Sequence, residues 1–365
     1  MSRALLLIFA LLLPNLFLIP QAIAVQEIVI TEPTHRLSDG VFIDDQLAQK
    51  LLPTSELGLL VFSSVQGVRS WQVDPATIAE IVAMSNGYGI SDGETPVGQQ
   101  IAKEWIAQFI KVSKNEKVSV MPYGNPSAYW VDQIMNQQIT YIEANGKILL
   151  ETVLGKATNQ SLVKNRQRQD LSKQNINLLN YANQQIDLLS TLVDQKGLLS
   201  YQLRLAQLLN PDIEKSDFQY LMKDYDKSIT DLRNKLKVTK TRFTVTSTKE
   251  ELPITLVNDF DQSVDLKLSV RALNSKVIVG STQQIKLEAK SKQQVLLPIE
   301  VLASGESSLL AQLTNLENKP VGYPVNINLK LSVISPVATW ITSGAAVLLF
   351  VAAIIQSVRR VRRRK

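Results

Sequence analysis

From Val337 to Val358 the chain runs for 22 residues without a charge. At 1.5 Å rise per residue such a run matches the ~30 Å hydrocarbon core of a bilayer. Inside lipid a single segment must satisfy its own N–H and C=O groups, which leaves a helix as its fold. Trp340 stands near one end of the run, where an indole favours the interface. Arg359, Arg360, Arg362, Arg363, Arg364 and Lys365 follow at the other end, and positive juxtamembrane residues stay on the cytoplasmic side. The spacing predicts a transmembrane helix over 336–358, in contact with membrane lipid through 337–358, and a basic cytoplasmic tail over 359–365. That tail acts as a topology anchor, and each of its charges near anionic head groups adds about 1 kcal/mol of attraction.

The other terminus carries a second address. Met1-Ser2-Arg3 precedes an apolar run from Ala4 to Ile19, then Pro20-Gln21-Ala22-Ile23-Ala24. One positive charge, a hydrophobic segment and small residues at Ala22 and Ala24 make a signal peptide over 1–24, with Val25 as the mature start. The competing reading is an uncleaved anchor, weakened by Pro14 and Asn15 inside the run. The expected location is the cell membrane, single-pass, N-terminus outside and C-terminus cytoplasmic.

The formal charge of +6 and pI of about 9.2 belong to these ends. Removing the six tail residues and Arg3 from the 39 basic residues leaves 32 against 33 acids, so the body is neutral. A nucleic-acid partner is therefore not expected. Zero cysteine excludes disulfides, thiolate metal sites and cysteine nucleophiles. A single histidine argues against His-based metal clusters and most His-assisted nucleophiles. No cofactor is expected.

The hydrophobic period changes near residues 156 and 240, dividing the body into an α/β region (25–155), a helical segment (156–240) and a β-sandwich (241–335). In the first, Glu27–Ile30, Ser70–Val73 and Lys117–Met121 read as strands. Asp74 fits an N-cap with Pro75 opening a helix, and Asn125-Pro126 repeats the device before a helix from Ser127. Ile101, Trp105, Ile106, Phe109 and Ile110 form a helical stripe, and Leu57–Val65 reads as helix. In the second, Leu179, Ala182, Ile186, Leu189 and Val193 step by three and four, as do Phe218, Met222, Tyr225, Ile229, Leu232 and Leu236. Leu198–Leu209 makes a shorter helix between them. Packing of these helices on one another, or a partner-binding face, explains the seams. In the third, Val264/Leu266/Leu268/Val270 and Val325/Ile327/Leu329/Leu331/Val333 alternate, and about seven short strands predict an immunoglobulin-like sandwich. The fold class is thus multi-domain α+β with one transmembrane helix.

Catalytic motifs are absent. Gly87–Gly93 lacks dinucleotide spacing and reads as a flexible loop, and Ser161-Leu162-Val163-Lys164 fits S-x-x-K by letter only. The carboxylates Asp44, Asp45 and Asp74 stand where α/β carbohydrate enzymes place general acids or nucleophiles. Each also has a structural reading, Asp74 as a helix cap and Asp44/Asp45 at a helix N-terminus. His35, in the polar stretch Thr34–Gly40, reads as a solvated loop residue.

Val73-Asp74-Pro75-Ala76 with Met84-Ser85-Asn86-Gly87-Tyr88, then Trp105, then Met121-Pro122-Tyr123-Gly124-Asn125-Pro126, resembles a recurring run in exported actinobacterial proteins of unknown function. Thr246-Ser247 with Leu252–Asp259, Gln312-Leu313-Thr314 and Val321-Gly322-Tyr323-Pro324-Val325 extend the resemblance, which covers most of 40–365. The resemblance implies a signal peptide, an α/β region, a helical segment, a β-sandwich and a C-terminal anchor. Genes of that family commonly neighbour that of the lipid II flippase, implying a role in envelope or peptidoglycan assembly. This chain looks like a shortened member lacking part of the central α/β region. The resemblance brings no catalytic residues. Together these features predict a non-enzymatic, membrane-anchored extracytoplasmic scaffold or accessory factor, touching an envelope-assembly membrane protein or cell-wall material. The alternative is a carbohydrate-active or degenerate hydrolase domain in 25–155 using Asp74 or Asp44/Asp45. A sensor is a third, weaker reading.

Overall fold

Strand-forming runs whose buried apolar positions alternate (Ile28 and Ile30, Trp71 and Val73, Val118 and Val120) present one apolar face for helices to cover, and the N-terminal region builds a parallel sheet of this kind. The computed structural model describes residues 25–64, 67–280, 283–332 and 336–362. The expected leader over 1–24 lies outside the described residues, as do Val65, Val333, Arg363, Arg364 and Lys365. Strands β1 (Val25–Ile30), β2 (Val68–Val73), β3 (Lys117–Val120) and β4 (Asn159–Gln160) pair in parallel in the order β1-β2-β3-β4. Parallel strands need crossovers. These are supplied by α1 (Gln46–Lys50) and α2 (Glu56–Phe62), then α3 (Pro75–Ser85) and α4 (Gln99–Ser113), then α5 (Ala128–Ile134) and α6 (Ile139–Leu154). Because all four strands run parallel, every strand ends on the same side, the side where β/α folds place functional groups.

The core of this region forms from the inward faces. Trp71 on β2 meets Phe109 edge-on at 5.5 Å between ring centroids, and Trp105 lies 5.4 Å from Phe109. The Trp105 indole N–H donates to the Leu57 carbonyl at 2.9 Å, which locks α4 onto α2. At the β2–α3 junction Asp74 is extended (φ −78°, ψ 117°) and Oδ1 accepts from the Ala76 N–H at 2.8 Å, while Pro75 opens the helix.

The second expected cap is not built. Asn125 has φ 46° and follows Gly124 at φ 77°, and its N–H donates to the Pro122 carbonyl at 3.0 Å to close a turn. An N-cap needs extended backbone, so two consecutive left-handed residues cannot serve. Helix α5 starts one residue later than expected, at Ala128 after Ser127. The Ser127 hydroxyl donates to the Gln167 carbonyl at 2.6 Å instead of capping. Gly87–Gly93 is a loop after a helix, but it is tied down: the Phe42 N–H donates to the Gly89 carbonyl and the Ser91 N–H to the Phe42 carbonyl, each at 2.9 Å.

Helices α7 (Lys173–Leu189), α8 (Leu199–Leu208) and α9 (Lys215–Arg233) pack against one another, with Leu179, Ala182, Ile186, Leu205, Tyr225 and Ile229 buried at the predicted spacing. Their core continues without a break into the sandwich. Nine described strands form it: β5 (Leu236–Val238), β6 (Arg242–Val245), β7 (Lys249–Asn258), β8 (Val264–Ala272), β9 (Val277–Val279), β10 (Gln283–Leu287), β11 (Ser291–Val301), β12 (Gly305–Thr314) and β13 (Pro320–Leu331). One sheet runs β10-β8-β12-β13-β6 and the other β5-β7-β11-β9. Several strands are longer than the short ones expected, because β7 and β11 form one antiparallel ladder along almost their whole length. Arg233 at the end of α9 clamps this junction, its guanidinium 3.7 Å from the Tyr323 ring centroid and its Nη2 donating to the Gly322 carbonyl at 2.9 Å.

Helix α10 (Pro336–Arg362) follows. Its segment Trp340–Ser357 has a mean hydropathy of 1.8 and none of it is buried against the rest of the chain. By length and composition it is able to cross a membrane.

Candidate functional site

The strand ends gather a buried set of charges. After β1 the chain turns through Glu32, Thr34 and His35, and α3 directs Thr77 and Glu80 at that turn. Glu80 Oε1 accepts from the Thr34 hydroxyl and Oε2 from the His35 backbone N–H at 2.9 Å. The Glu32 N–H donates to the Thr77 hydroxyl at 2.8 Å. His35 is 7% exposed, with Nε2 3.3 Å from Glu32 Oε1 and Nδ1 3.5 Å from Asp44 Oδ1. It is therefore an interior residue rather than the solvated loop histidine expected. Burial alone would push its imidazole down, but hydrogen bonds to Asp44 and Glu32 and the Glu80 charge outweigh that and lift it to about 9. Lys50 reaches Glu32 from the other side. Burial opposes ionisation of Glu32, yet His35 and Lys50 hold its carboxyl below the usual range.

Helix α8 closes this face. Arg204 is 6% exposed. Its Nη1 donates to the Thr34 hydroxyl at 2.9 Å and its Nη2 to the Arg36 carbonyl. The Gln207 amide donates to Glu80 Oε1 at 2.9 Å. At the rim, Asp224 of α9 accepts from both the N–H and the hydroxyl of Ser38. The approach is close: a Cβ on Gly124 would stand 2.8 Å from the Gln207 Cα, so this turn must carry glycine. The α/β region and the helical segment thus meet through a hydrogen-bonded charged seam.

The three predicted carboxylates separate within this frame. Asp74 has no solvent exposure; its Oδ1 accepts from the N–H groups of Ala76 and Gly124, both at 2.8 Å, and its Oδ2 lies 3.4 Å from the Thr77 hydroxyl. Burial lifts its carboxyl to about 7 despite those donors. Asp44 Oδ1 accepts from the Gln46 N–H at 3.0 Å, and the His35 hydrogen bond holds its carboxyl low. Asp45 precedes α1 but makes no capping bond; it accepts from the Tyr88 hydroxyl and from the Val97 N–H at 3.0 Å. Asp45 thus fixes the loop after α3, while Asp44 and Asp74 belong to the joint. Ser161 and Lys164 lie after β4 in a stretch that is neither helix nor strand, where the Ser161 hydroxyl accepts from the Val163 N–H at 3.1 Å, whereas S-x-x-K chemistry brings its lysine onto the serine over a helical turn.

Glu32, Glu80, Arg204 and Gln207 went unmarked in the sequence. A signal was present for two of them: Glu80 interrupts the apolar face Ile78/Ile81/Met84, and Arg204 sits inside Leu203-Arg204-Leu205-Ala206. Among the described residues, no group of His, Asp and Glu is arranged to hold a metal ion.

No curated protein matches the sequence significantly. Among solved structures, WR4, a C. elegans MSP family member, aligns at 14% identity over 27% of this chain and 97% of its own, with a TM-score of 0.21. The E. coli chaperone DraB aligns at 13% identity over 27% of this chain and 57% of its own, with a TM-score of 0.20. The PapD-like domain 7 of human CEP192 aligns at 11% identity over 28% of this chain and 87% of its own, with a TM-score of 0.21. Residues 140–364, which take in the helical segment, the sandwich and the apolar helix, match a family of unknown function, so the chain belongs to the DUF6049 family.

Proposed function

We propose that the protein is a non-enzymatic, single-pass membrane protein that displays its α/β region, helical segment and sandwich outside the cell. There it works as a scaffold or accessory factor in cell-envelope or peptidoglycan assembly. The observation carrying this reading is the state of the strand-end face. Its carboxylates are consumed by internal bonds, and helix α8 lies over them with Arg204 and Gln207. A glycoside hydrolase needs two carboxyls facing one cleft, about 5–10 Å apart, and a fully buried helix cap such as Asp74 cannot meet a sugar. The apolar helix α10 with its basic flank supports anchoring with the tail inside, and the Ala4–Ala24 segment supports export. Linkage to the lipid II flippase and an actinobacterial source follow from the resemblance at Val73–Pro126 and 246–325.

The test is in-cell crosslinking of the anchored full chain, followed by membrane pull-down. Recovery of an envelope-assembly protein or a wall fragment above a control with a scrambled ectodomain is the expected result. Recovery of neither removes the scaffold reading.

A further inference from the structure

Helix α8 leaves part of the strand-end side uncovered. Beside it, the ends of β3 and β4 open into a groove of about 360 Å³ between α5, α6 and the stretch 161–164 after β4. Its floor is apolar, with Pro126 and Val131 buried and Ile139 half-buried. Its outer wall is Leu162, 94% exposed, beside Val163 at 52%. An aliphatic pair standing in water beside an apolar trough forgoes about 25 cal/mol for each Å² an occupant would cover.

Charge gives the groove a preference. Two carboxylates line it, Glu143 and Asp132, against one cation, Lys164. Glu143 is half-buried, and among the described residues no hydrogen-bond or ion-pair partner lies in contact with its carboxylate. Burial pushes that carboxyl up and the charge of Lys164 only partly restores it. A half-desolvated carboxylate without a donor favours an incoming cation. The backbone adds a third feature. Strand β4 is the last of its sheet, with no partner on its outer side among the described residues, and sheet edges recruit extended peptides.

We infer that this groove binds an extended peptide segment carrying a basic side chain beside an apolar one. The ammonium or guanidinium meets Glu143, with Asp132 at the rim, and the apolar side chain lies over Val131 under Leu162. The inference rests on the reading of the chain as a binding protein, and the two tests fail separately, since this one uses purified components and a synthetic probe.

The probe is a fluorescein-labelled hexapeptide of alternating leucine and lysine, titrated against the full chain in phosphatidylcholine nanodiscs and read by anisotropy. Empty nanodiscs are subtracted, and a peptide with norleucine in place of lysine is the neutral control. The expected result is saturable binding, about tenfold weaker for Glu143→Gln and for the norleucine peptide, and lost in Ala128→Trp, which fills the groove. Equal binding of the two peptides, binding indifferent to both substitutions, or no binding at about 1 mM peptide, the weak end of specific recognition, overturns the inference. Should Ala128→Trp unfold, Glu143→Gln at its half-exposed position carries the test, with thermal unfolding confirming its fold.

Discussion

Replacing Asp74 by asparagine separates a helix cap from a reacting acid. Lifting a carboxyl from an ordinary 3.8 to about 7 costs folding about 4 kcal/mol once the unfolded chain is ionised. The sign follows from proton binding: the native state keeps the proton between pH 3.8 and 7 and the unfolded state does not. The contribution of this group is therefore fully present below pH 3.8, and it is lost as the pH rises through 7. In the Asp74→Asn variant the new side chain would keep an oxygen for the Ala76 and Gly124 N–H groups and put an amide toward the Thr77 hydroxyl, with no charge to bury. The variant is thus expected to be as stable as the parent at about pH 4 and up to about 4 kcal/mol more stable at about pH 8. Asp74→Ala instead strands two buried N–H donors and loses the cap, a loss of about 3–5 kcal/mol. Urea unfolding followed by tryptophan fluorescence measures this directly, because Trp71, Trp105 and Trp130 all lie in the α/β region and only Trp340 lies elsewhere. A loss for Asp74→Asn at about pH 8 as large as for Asp74→Ala would refute the capping argument. So would a pH slope between about 4 and 7 that survives the substitution.

Three further outcomes follow from the same geometry. His35 titrates near 9 in the fold against 6.5 for the unfolded chain, so its stabilisation is complete below pH 6.5 and lost as the pH rises through 9; His35→Gln is expected to cost about 3 kcal/mol at about pH 6 and far less at about pH 10 in the same unfolding assay. Gly124→Ala pushes a Cβ into the backbone of α8 and is expected to cost about 1–3 kcal/mol beyond the left-handed penalty, with faster hydrogen exchange across Leu199–Leu208; Gly155→Ala, at φ 63° with open space around it, should show only the backbone penalty. Leu349→Arg places a charge near the middle of α10 at a cost of about 2.5–3.5 kcal/mol, and fractionation should show the chain moving out of the membrane pellet; unchanged partition would mean the helix is not the anchor.

Periodicity carried the architecture because local patterns decide it. Asp74-Pro75 before an apolar run identified a cap, and the switch to alternation after residue 240 identified the sandwich. Asn125-Pro126 has the same letters as a cap, but its backbone is set by Gly124 yielding to α8, an element about 80 residues downstream whose approach no local pattern encodes. His35 failed for the same reason. Its neighbours in sequence are polar, and its burial is created by Glu80, 45 residues away, and by the helix that carries Arg204. The charged seam as a whole was invisible because each member looks like a surface residue until its partner arrives. Its two legible clues, a glutamate on the apolar face of α3 and an arginine among leucines, acquire meaning only as a pair.

The separation of that pair along the chain sets a timetable. The Thr34 hydroxyl meets Arg204 across 170 residues, whereas the core around Trp71 and Phe109 closes within residues 28–154. Only 50 residues separate Leu154, the last residue of that core, from Arg204, and at about 5–20 residues per second the ribosome needs about 3–10 s to supply them. Throughout that interval Thr34 and Glu80 lack the Arg204 and Gln207 partners that α8 brings. A holdase or a protease working during synthesis therefore meets a face that the finished protein never shows.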